Sequence, residues 1–562
     1  MAAAGPVEFF QVAQPVLALD GPGSCTVVLM EHAFANSYGS PFVADYVPPA
    51  CDFNRVVIRF TSTVRGRQYD RTGVMYLGDT EVWRLTTAQP TADGIVWGWD
   101  KDMTHFLSLW RQPQKLIFDL ENIVNDVYTG IFNTTLTATF FQSDVLVGGQ
   151  PPADLIIPIS ERTGAAGQPS QFTYPEQNAT NTVAFPRNAN RAVFSIAAKG
   201  QGSDEFWWSN VPQSAIHTFD AEYGQYPGYS AWREIQVLVD GKLAGVSWPY
   251  PTIFTGGVVP QLHRPIVGID AFDMREHEID ITPWLPLLCD GNEHTFTIQV
   301  IGLVDDGSSS TSLSTTTESS WYLTGKVFVW LDSETSVTTG TIPVVSQPAP
   351  SIAFSSKITQ DAAGANETLE YQIDVSRKFS VTAKVKTEKS EGLVSWSQKL
   401  SYSNPGAVTA YGFFNLNTLD TTGADASAGS VSGLYASKYH YPLFCNSTAA
   451  IAPEGNLTLW ANLDQGLQLE VVGSAVIPTG VESYKSSTKK FAGSSLDTRR
   501  VGTANFHRAG DNSYSEGSGS QEQVFDFWGV TAEGGYAGKE QLYHRDVKSV
   551  NTTVTFNEES GV

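Results

Sequence analysis

A chain of 562 residues is long enough for three or four domains with sizeable cores. Its 58 acidic against 35 basic side chains give a formal net charge of −23, a field that repels nucleic acid, and no basic patch offsets it. No apolar run reaches the roughly 18 residues of a membrane-spanning helix, so neither nucleic acid nor membrane is expected as a partner.

The elements read as short strands with Gly, Pro and Asn punctuation, the signature of an all-β chain of packed sandwiches. Residues 1–52 form a lead segment, with strand-like stretches at Phe9-Phe-Gln-Val and Thr26-Val-Val-Leu-Met. Arg55-Val-Val-Ile-Arg-Phe-Thr-Ser then opens a first sandwich over residues 53–150 with the alternation of a half-buried strand. Two short strands, Val74 to Leu77 and Val82 to Leu85, follow, so Asp70 and Arg71 stand at a strand-to-strand junction between Gly66 and Gly73. Met103 to Trp110 suits one short helix. Lys115 to Leu120 and Thr134 to Phe141 complete this unit, and Gly148-Gly-Gln-Pro-Pro reads as a linker.

A second sandwich over residues 151–335 has strands at Ala192 to Ile196, Ile235 to Val239, His294 to Val300 and Lys326 to Leu331. Asp240-Gly241 gives a two-residue hairpin. The polar run Asp305 to Thr317 reads as an exposed loop and a site for proteolytic nicking. A linker at 336–350 precedes a C-terminal β-rich domain, 351–562, within which Ser483 to Gly519 reads as irregular.

Six Asn-x-Ser/Thr acceptors, Asn133, Asn178, Asn366, Asn446, Asn456 and Asn551, point to a secreted, extracellular glycoprotein. Attached glycans would also keep the chain soluble at acid pH, where its own charge shrinks. Cys25 and Cys51 bracket a short segment, and Cys289 and Cys445 would join the second sandwich to the C-terminal part; four cysteines allow three connectivities. No Cys/His cluster has metal-ligand spacing, and neither metal nor cofactor is expected.

Asp204-Glu-Phe-Trp-Trp-Ser-Asn precedes a Gly/Tyr/Pro loop, Tyr223 to Tyr229. Glu205, Trp207, Trp208 and Asn210 suit sugar recognition, since aromatic rings cover pyranose faces while acids and amides bind hydroxyls. Strand alternation would leave at most one of the two tryptophans in the core.

Gln68-Tyr-Asp-Arg, Thr86-Thr with Pro90, Gly94-Ile-Val-Trp, Lys101-Asp-Met-Thr, Leu120-Glu-Asn-Ile-Val-Asn-Asp, Asp204-Glu-Phe-Trp-Trp-Ser-Asn, Trp232-Arg-Glu-Ile and Arg264-Pro-Ile-Val-Gly together resemble the peptide:N-glycanase A family, acid glycoamidases that remove N-linked glycans from glycoproteins. The likeness is dense from about Arg55 to Val300. It implies two adjacent jelly-roll-like sandwiches as the catalytic unit, glycopeptide or glycoprotein substrates, an acid optimum and, as in relatives, a form cut into two chains in the 305–320 loop. A bacterial peptide:N-glycanase carries its key Asp in a Trp-Asp-Arg junction. Tyr69-Asp70-Arg71 is the matching stretch, which gives Asp70 the primary catalytic role and makes Tyr69 and Arg71 substrate-binding neighbours. Glu205 matches a second essential acid of that relative, Glu121 a supporting one, and Arg264 a sugar-binding Arg. Taken by itself, Glu121 reads equally as a surface acid. The competing functional classes are an endo-acting glycosidase with a carboxylate pair and a glycan-binding β-sandwich without catalysis.

Overall fold

The protein is described here by a computed structural model of residues 6–561, except 17, 19–20, 22, 145–150, 309, 430–433, 485–490, 512 and 534–535. The chain is all-β, and its strands build two sandwiches and one large sheet.

In the first sandwich a five-stranded sheet has the spatial order Val7–Phe9, Ile95–Asp102, Arg55–Val64, Phe132–Phe141, Cys25–Phe34. It faces a four-stranded sheet of Phe42–Tyr46, Gln114–Leu120, Thr72–Leu77 and Thr80–Thr86. The alternation seen in the sequence puts Phe60, Trp83, Trp97 and Phe118 between the layers. Residues 1–52 are therefore not a lead segment. Three of their stretches are strands of this sandwich, paired with Ile95–Asp102, Phe132–Phe141 and Gln114–Leu120. The expected short helix is present as one turn of 3₁₀, Thr104–Phe106, running into Leu107–Trp110. Of the expected linker, Gly148 to Gln150 lie outside the described residues.

The second sandwich packs a sheet of Leu155–Ile159, Trp321–Leu331, Ala189–Gly200 and His277–Asp280 against one of Thr180–Ala184, Glu293–Asp305, Glu234–Val239 and Lys242–Ser247. Asp240 and Gly241 make the expected tight hairpin, both with positive φ (47° and 73°). The polar run after Asp305 is exposed, but part of it, Thr311–Ser314, pairs with Glu293–Asp305.

From Thr339 onward the chain forms one 12-stranded antiparallel sheet. The expected linker at 336–350 belongs to it, because Thr339–Gly340 and Val344–Ser346 pair with the 21-residue strand Asn366–Lys386. Ser483 to Gly519 is likewise not irregular: Phe491–Arg508 is a long strand within it, and Ser515–Glu533 begins there. The inner side of Phe491–Arg508 interleaves Ser494, Thr498 and Arg500 with Leu496, Ala504 and Phe506, so polar residues break up the period-2 apolar pattern that would reveal it.

This sheet is fastened to the second sandwich. Trp396, Tyr402 and Val381 join that sandwich's core. Gln398 accepts a hydrogen bond from Val246 N and donates to Val246 O, both at 2.8 Å. Farther along, Gln465 Nε2 donates to Pro251 O (2.8 Å), Gln521 Nε2 to Gln261 O (2.9 Å) and Arg500 Nη2 to Ile266 O (3.2 Å). The segment from Pro251 to Ile266 is thus held by the C-terminal sheet.

Cys25 and Cys51 form a disulfide, whereas Cys289 and Cys445 do not pair. Both of the latter are buried thiols; Cys289 Sγ donates to Pro186 O, and Cys445 stands on the inner face of the large sheet. Among the acceptors, Asn133, Asn178 and Asn551 are exposed, while Asn366, Asn446 and Asn456 are partly covered, with Asn366 Nδ2 donating to Thr218 O (2.8 Å).

The disulfide closes a loop with a sequence separation of 26 residues between strands that bracket the first sandwich. Replacing both cysteines (Cys25→Ser with Cys51→Ser) is expected to cost about 3 kcal/mol by the loop-entropy argument. Urea unfolding followed by circular dichroism checks this, and a midpoint unchanged from wild type would show that the bridge carries no such load.

Candidate active site

The junction carrying Asp70 is fixed by a buried glutamine. Gln68 Nε2 donates to Ile123 O (2.9 Å) and Gly130 O (3.3 Å), while its Oε1 accepts from Tyr69 N (3.0 Å) and Arg71 Nη2 (2.8 Å). Arg71 and Thr87 then zip together: Arg71 N donates to Thr87 Oγ1 (2.9 Å) and Thr87 N to Arg71 O (2.7 Å). Asp70 is held between these clamps with Oδ2 3.5 Å from Thr86 Oγ1.

The opposite wall comes from the segment tied down by the large sheet. Thr255 Oγ1 donates to Thr87 O, which draws Gly256 against the carboxylate of Asp70. A Cβ at residue 256 would overlap Asp70 Oδ1, so only glycine fits. Two residues on, Val258 holds φ at +63°, a conformation costly for a β-branched side chain and one that clusters at functional sites.

Glu205 arrives from the second sandwich. Strand Ala189–Gly200 ends in a tight turn leading into the irregular 3₁₀ segment Gly202–Ser209. Asp204, fully buried, anchors that segment: its Oδ1 accepts from Arg233 Nη2 (2.6 Å) and Asn210 Nδ2 (3.2 Å), and its Oδ2 from Trp321 Nε1 (2.8 Å). With Asp204 locked, the next residue projects into the cleft, one-third exposed at its side chain. Lys199, 5% exposed, lies below both acids, with Nζ 3.8 Å from Glu205 Oε1 and 4.5 Å from the ring centroid of Phe254.

Electrostatics tie the group together. Burial, then the charge of Glu205, pushes the Asp70 carboxyl up to about 6, against the opposing pull of Lys199 and the Gly256 N–H. Burial pulls the Lys199 ammonium down, while Glu205 and Asp70 hold it up. A carboxyl raised by burial and by a neighbouring carboxylate can hold a proton to give, an arrangement suited to acid–base catalysis.

Of the other residues singled out in the sequence, Tyr69 is exposed and packs on Tyr128 with ring centroids 5.4 Å apart. Arg71 does not orient Asp70; its Nη1 donates to Tyr38 OH (3.0 Å) and its Nη2 to Gln68. Glu121 stands against Asp119 and Tyr322 instead, where burial and then its charge push Asp119 up to about 7. Trp207 and Trp208 are both core residues, not sugar platforms, because the segment is a 3₁₀ turn rather than a strand and alternation does not apply. Asn210 is completely buried and serves Asp204. Arg264 is largely buried, which pulls its guanidinium down to about 10, and its Nε lacks a hydrogen-bond partner.

Sequence reasoning missed Lys199, Tyr38, Tyr128 and Gly256. Lys199 closes an apolar strand, Val193-Phe-Ser-Ile-Ala-Ala-Lys, and reads there as a surface cap. Gly256 was legible only as part of Thr255-Gly-Gly. A cavity of about 250 Å³ lies away from this site, between the sandwiches and the large sheet, lined by Asp270, Asp273, Arg275 and Glu276. Its charges pair among themselves, as Lys101 with Asp273 (2.7 Å), Arg275 with Asp270 (2.9 Å) and Lys326 with Glu276 (2.6 Å), which fits a junction more than a reaction centre.

Residues 11–348 match the family model described as peptide N-acetyl-beta-D-glucosaminyl asparaginase amidase A, and residues 370–443 match that of the PNGase A C-terminal domain. The chain is 29% identical to the peptide-N4-(N-acetyl-beta-glucosaminyl)asparagine amidase A of Prunus dulcis, across 98% of this chain and 92% of that one. Solved structures with some likeness are PNGase F, a glycosylasparaginase from Flavobacterium meningosepticum (12% identity, 55% of this chain, 96% of that one, TM-score 0.35), and PNGF-II (12%, 55%, 66%, TM-score 0.35).

The Gly256 contact is testable. Gly256→Ala should displace the Asp70 carboxyl while leaving the fold intact, because the colliding atom is the end of a side chain. Turnover should drop about a hundredfold, the cost of a misplacement on the order of 1 Å, with little change in melting temperature. Full turnover in a folded Gly256→Ala protein would show that the close approach is unimportant.

Proposed function

Since the chain belongs to the peptide N-acetyl-beta-D-glucosaminyl asparaginase amidase A family, we propose that it is a secreted peptide:N-glycanase, working at acid pH, that hydrolyses the amide between a glycan-bearing Asn and the proximal GlcNAc. The products are Asp in the peptide and a 1-amino sugar, which then sheds ammonia. The observation that carries this reading is the meeting of Asp70 and Glu205, from different sandwiches, around one buried cation. Asp70 keeps its proton below about pH 6. In the proposed reaction Glu205 takes a proton from the attacking water and Asp70 gives its proton to the departing nitrogen. The exposed rim of Tyr38, Tyr69 and Tyr128 suits the faces of the sugar rings.

Secretion is supported by the Cys25–Cys51 disulfide and by exposed acceptors at Asn133, Asn178 and Asn551. The exposed stretch after Asp305 is where nicking into two chains would fall. Glu121 and Arg264 enter this reading as a flanking acid and a sugar-side cation.

Mass spectrometry of a glycopeptide after incubation tests the reaction. An amidase leaves Asp and no sugar, an endoglycosidase leaves one GlcNAc on Asn, and a lectin leaves the glycopeptide intact; either of the latter results sinks the proposal. Asp70→Asn should lower kcat about a hundred- to ten-thousandfold. Its fold should persist, since a carboxyl whose folded-state value is raised contributes stability at low pH that is lost as pH rises through about 6. The Asn variant should therefore melt no lower than wild type at neutral pH, and a folded variant with near-normal turnover would remove Asp70 from the mechanism.

The same sign governs activity. The protonated form of Asp70 is the competent one, so kcat/KM should fall as pH rises through about 6. A glycopeptide pH profile still rising at alkaline pH would contradict this assignment.

A further inference from the structure

We propose that Lys199 is a catalytic residue of this site, its ammonium binding the carbonyl oxygen of the scissile amide and the negative charge that develops there. The inference rests on the amidase reading above. It starts from an imbalance: the Lys199 side chain is 95% covered, yet its ammonium makes no hydrogen bond among the described residues, its nearest carboxylate oxygen lying 3.8 Å away at Glu205. A buried cation without close partners is destabilising. The Phe254 ring, 4.5 Å from Nζ, offsets part of that but satisfies no N–H. A fold keeps such a group where function uses it.

The placement matches a need that the two carboxylates cannot meet. Hydrolysis of an amide requires a water proton acceptor, a donor to the leaving nitrogen and a positive group at the carbonyl oxygen. Water attacks the amide carbon and a C–O bond forms as its proton passes to Glu205. The carbonyl π electrons move to the oxygen, where Lys199 N–H donors hold them. As the carbonyl reforms, the C–N bond breaks and its electron pair takes the proton of Asp70. Glu205 ends protonated and Asp70 ionised, and one proton transfer between them restores the starting state. Lys199 is set by backbone on two sides: it stands opposite Tyr322 in the sheet, and the turn after it leads directly to the locked Asp204. The charged groups around it are Glu205 from its own sandwich and Asp70 and Arg84 from the other.

The test uses the full-length enzyme with one N-glycopeptide substrate, comparing wild type, Lys199→Met and Lys199→Arg. Met keeps the aliphatic stem and removes the donors; Arg keeps the charge and provides a folded comparison should Met unfold. For Lys199→Met, kcat should fall about a hundred- to a thousandfold, the usual loss for one oxyanion donor, with KM changed less than threefold. Residual activity should extend to higher pH, because the cation that opposes the raised titration of Asp70 is gone. Lys199→Arg should retain more of kcat than Lys199→Met. A folded Lys199→Met enzyme within threefold of wild-type kcat, an effect confined to KM, or an Arg variant no better than one with no charge would each overturn the role of Lys199 while leaving the amidase reading intact. Failure of wild type itself to release the glycan would overturn both.

Discussion

The geometry of the site depends on one buried ion pair. Glu81 and Arg84, both on strand Thr80–Thr86, bond in parallel (2.9 and 2.6 Å) with side chains almost sealed from water. Each also reaches into the other sandwich: Arg84 Nη1 donates to Tyr322 O (3.0 Å), and Glu81 Oε2 accepts from Thr324 Oγ1 (2.8 Å). A bidentate pair with its remaining capacity satisfied across a domain boundary is costly to disrupt, since either partner alone would be a buried charge. It therefore fixes the angle between the sandwiches. Strand Thr80–Thr86 pairs with the strand that begins just after Asp70, and Tyr322 is the cross-strand neighbour of Lys199. The latch thus sets the distance between the two halves of the site.

The large C-terminal sheet extends this control. It reaches the segment carrying Glu205 through Asn415 Nδ2, which donates to Ser209 O (2.9 Å), and it grips the segment from Pro251 to Ile266 through Gln465, Gln521 and Arg500. Gly256 lies in that segment and forms the wall against Asp70. The sheet is then a structural part of the site, since pre-organisation depends on the residues behind the reacting groups.

How much of this was legible follows from the kind of signal each residue leaves. The strands of both sandwiches were visible because one face of each is apolar, and Asp70 and Glu205 were singled out as catalytic only through the resemblance of their surrounding motifs to a known family. Phe491–Arg508 hid because polar residues interrupt its inner face, with Arg500 buried among backbone carbonyls. Two of the three strands in residues 1–52 were seen and Phe42–Tyr46 was not; the partners of all three lie far along the chain, and no local pattern reports a pairing at that range. Trp207 and Trp208 were misread because period 2 was applied to a 3₁₀ segment. Cys289 and Cys445 were joined on parity alone, and parity carries no distance. Lys199 leaves no local trace; it acquires meaning only when Asp70, Glu205 and Phe254 converge on it.

The tie between Phe10 and Ile266, like that between Gln261 and Gln521, spans a great length of chain. A ribosome delivers the first residues long before their partners, and domains fold in the order in which they emerge. The core of the second sandwich is continuous with the large sheet, and the tie from Gln521 to the segment that holds Gly256 forms only after Gln521 has been made. The strand that carries Gln521 thus acts as a completion signal: the Glu81–Arg84 latch can already join the sandwiches, but until that strand docks the Gly256 wall against Asp70 lacks one of its ties.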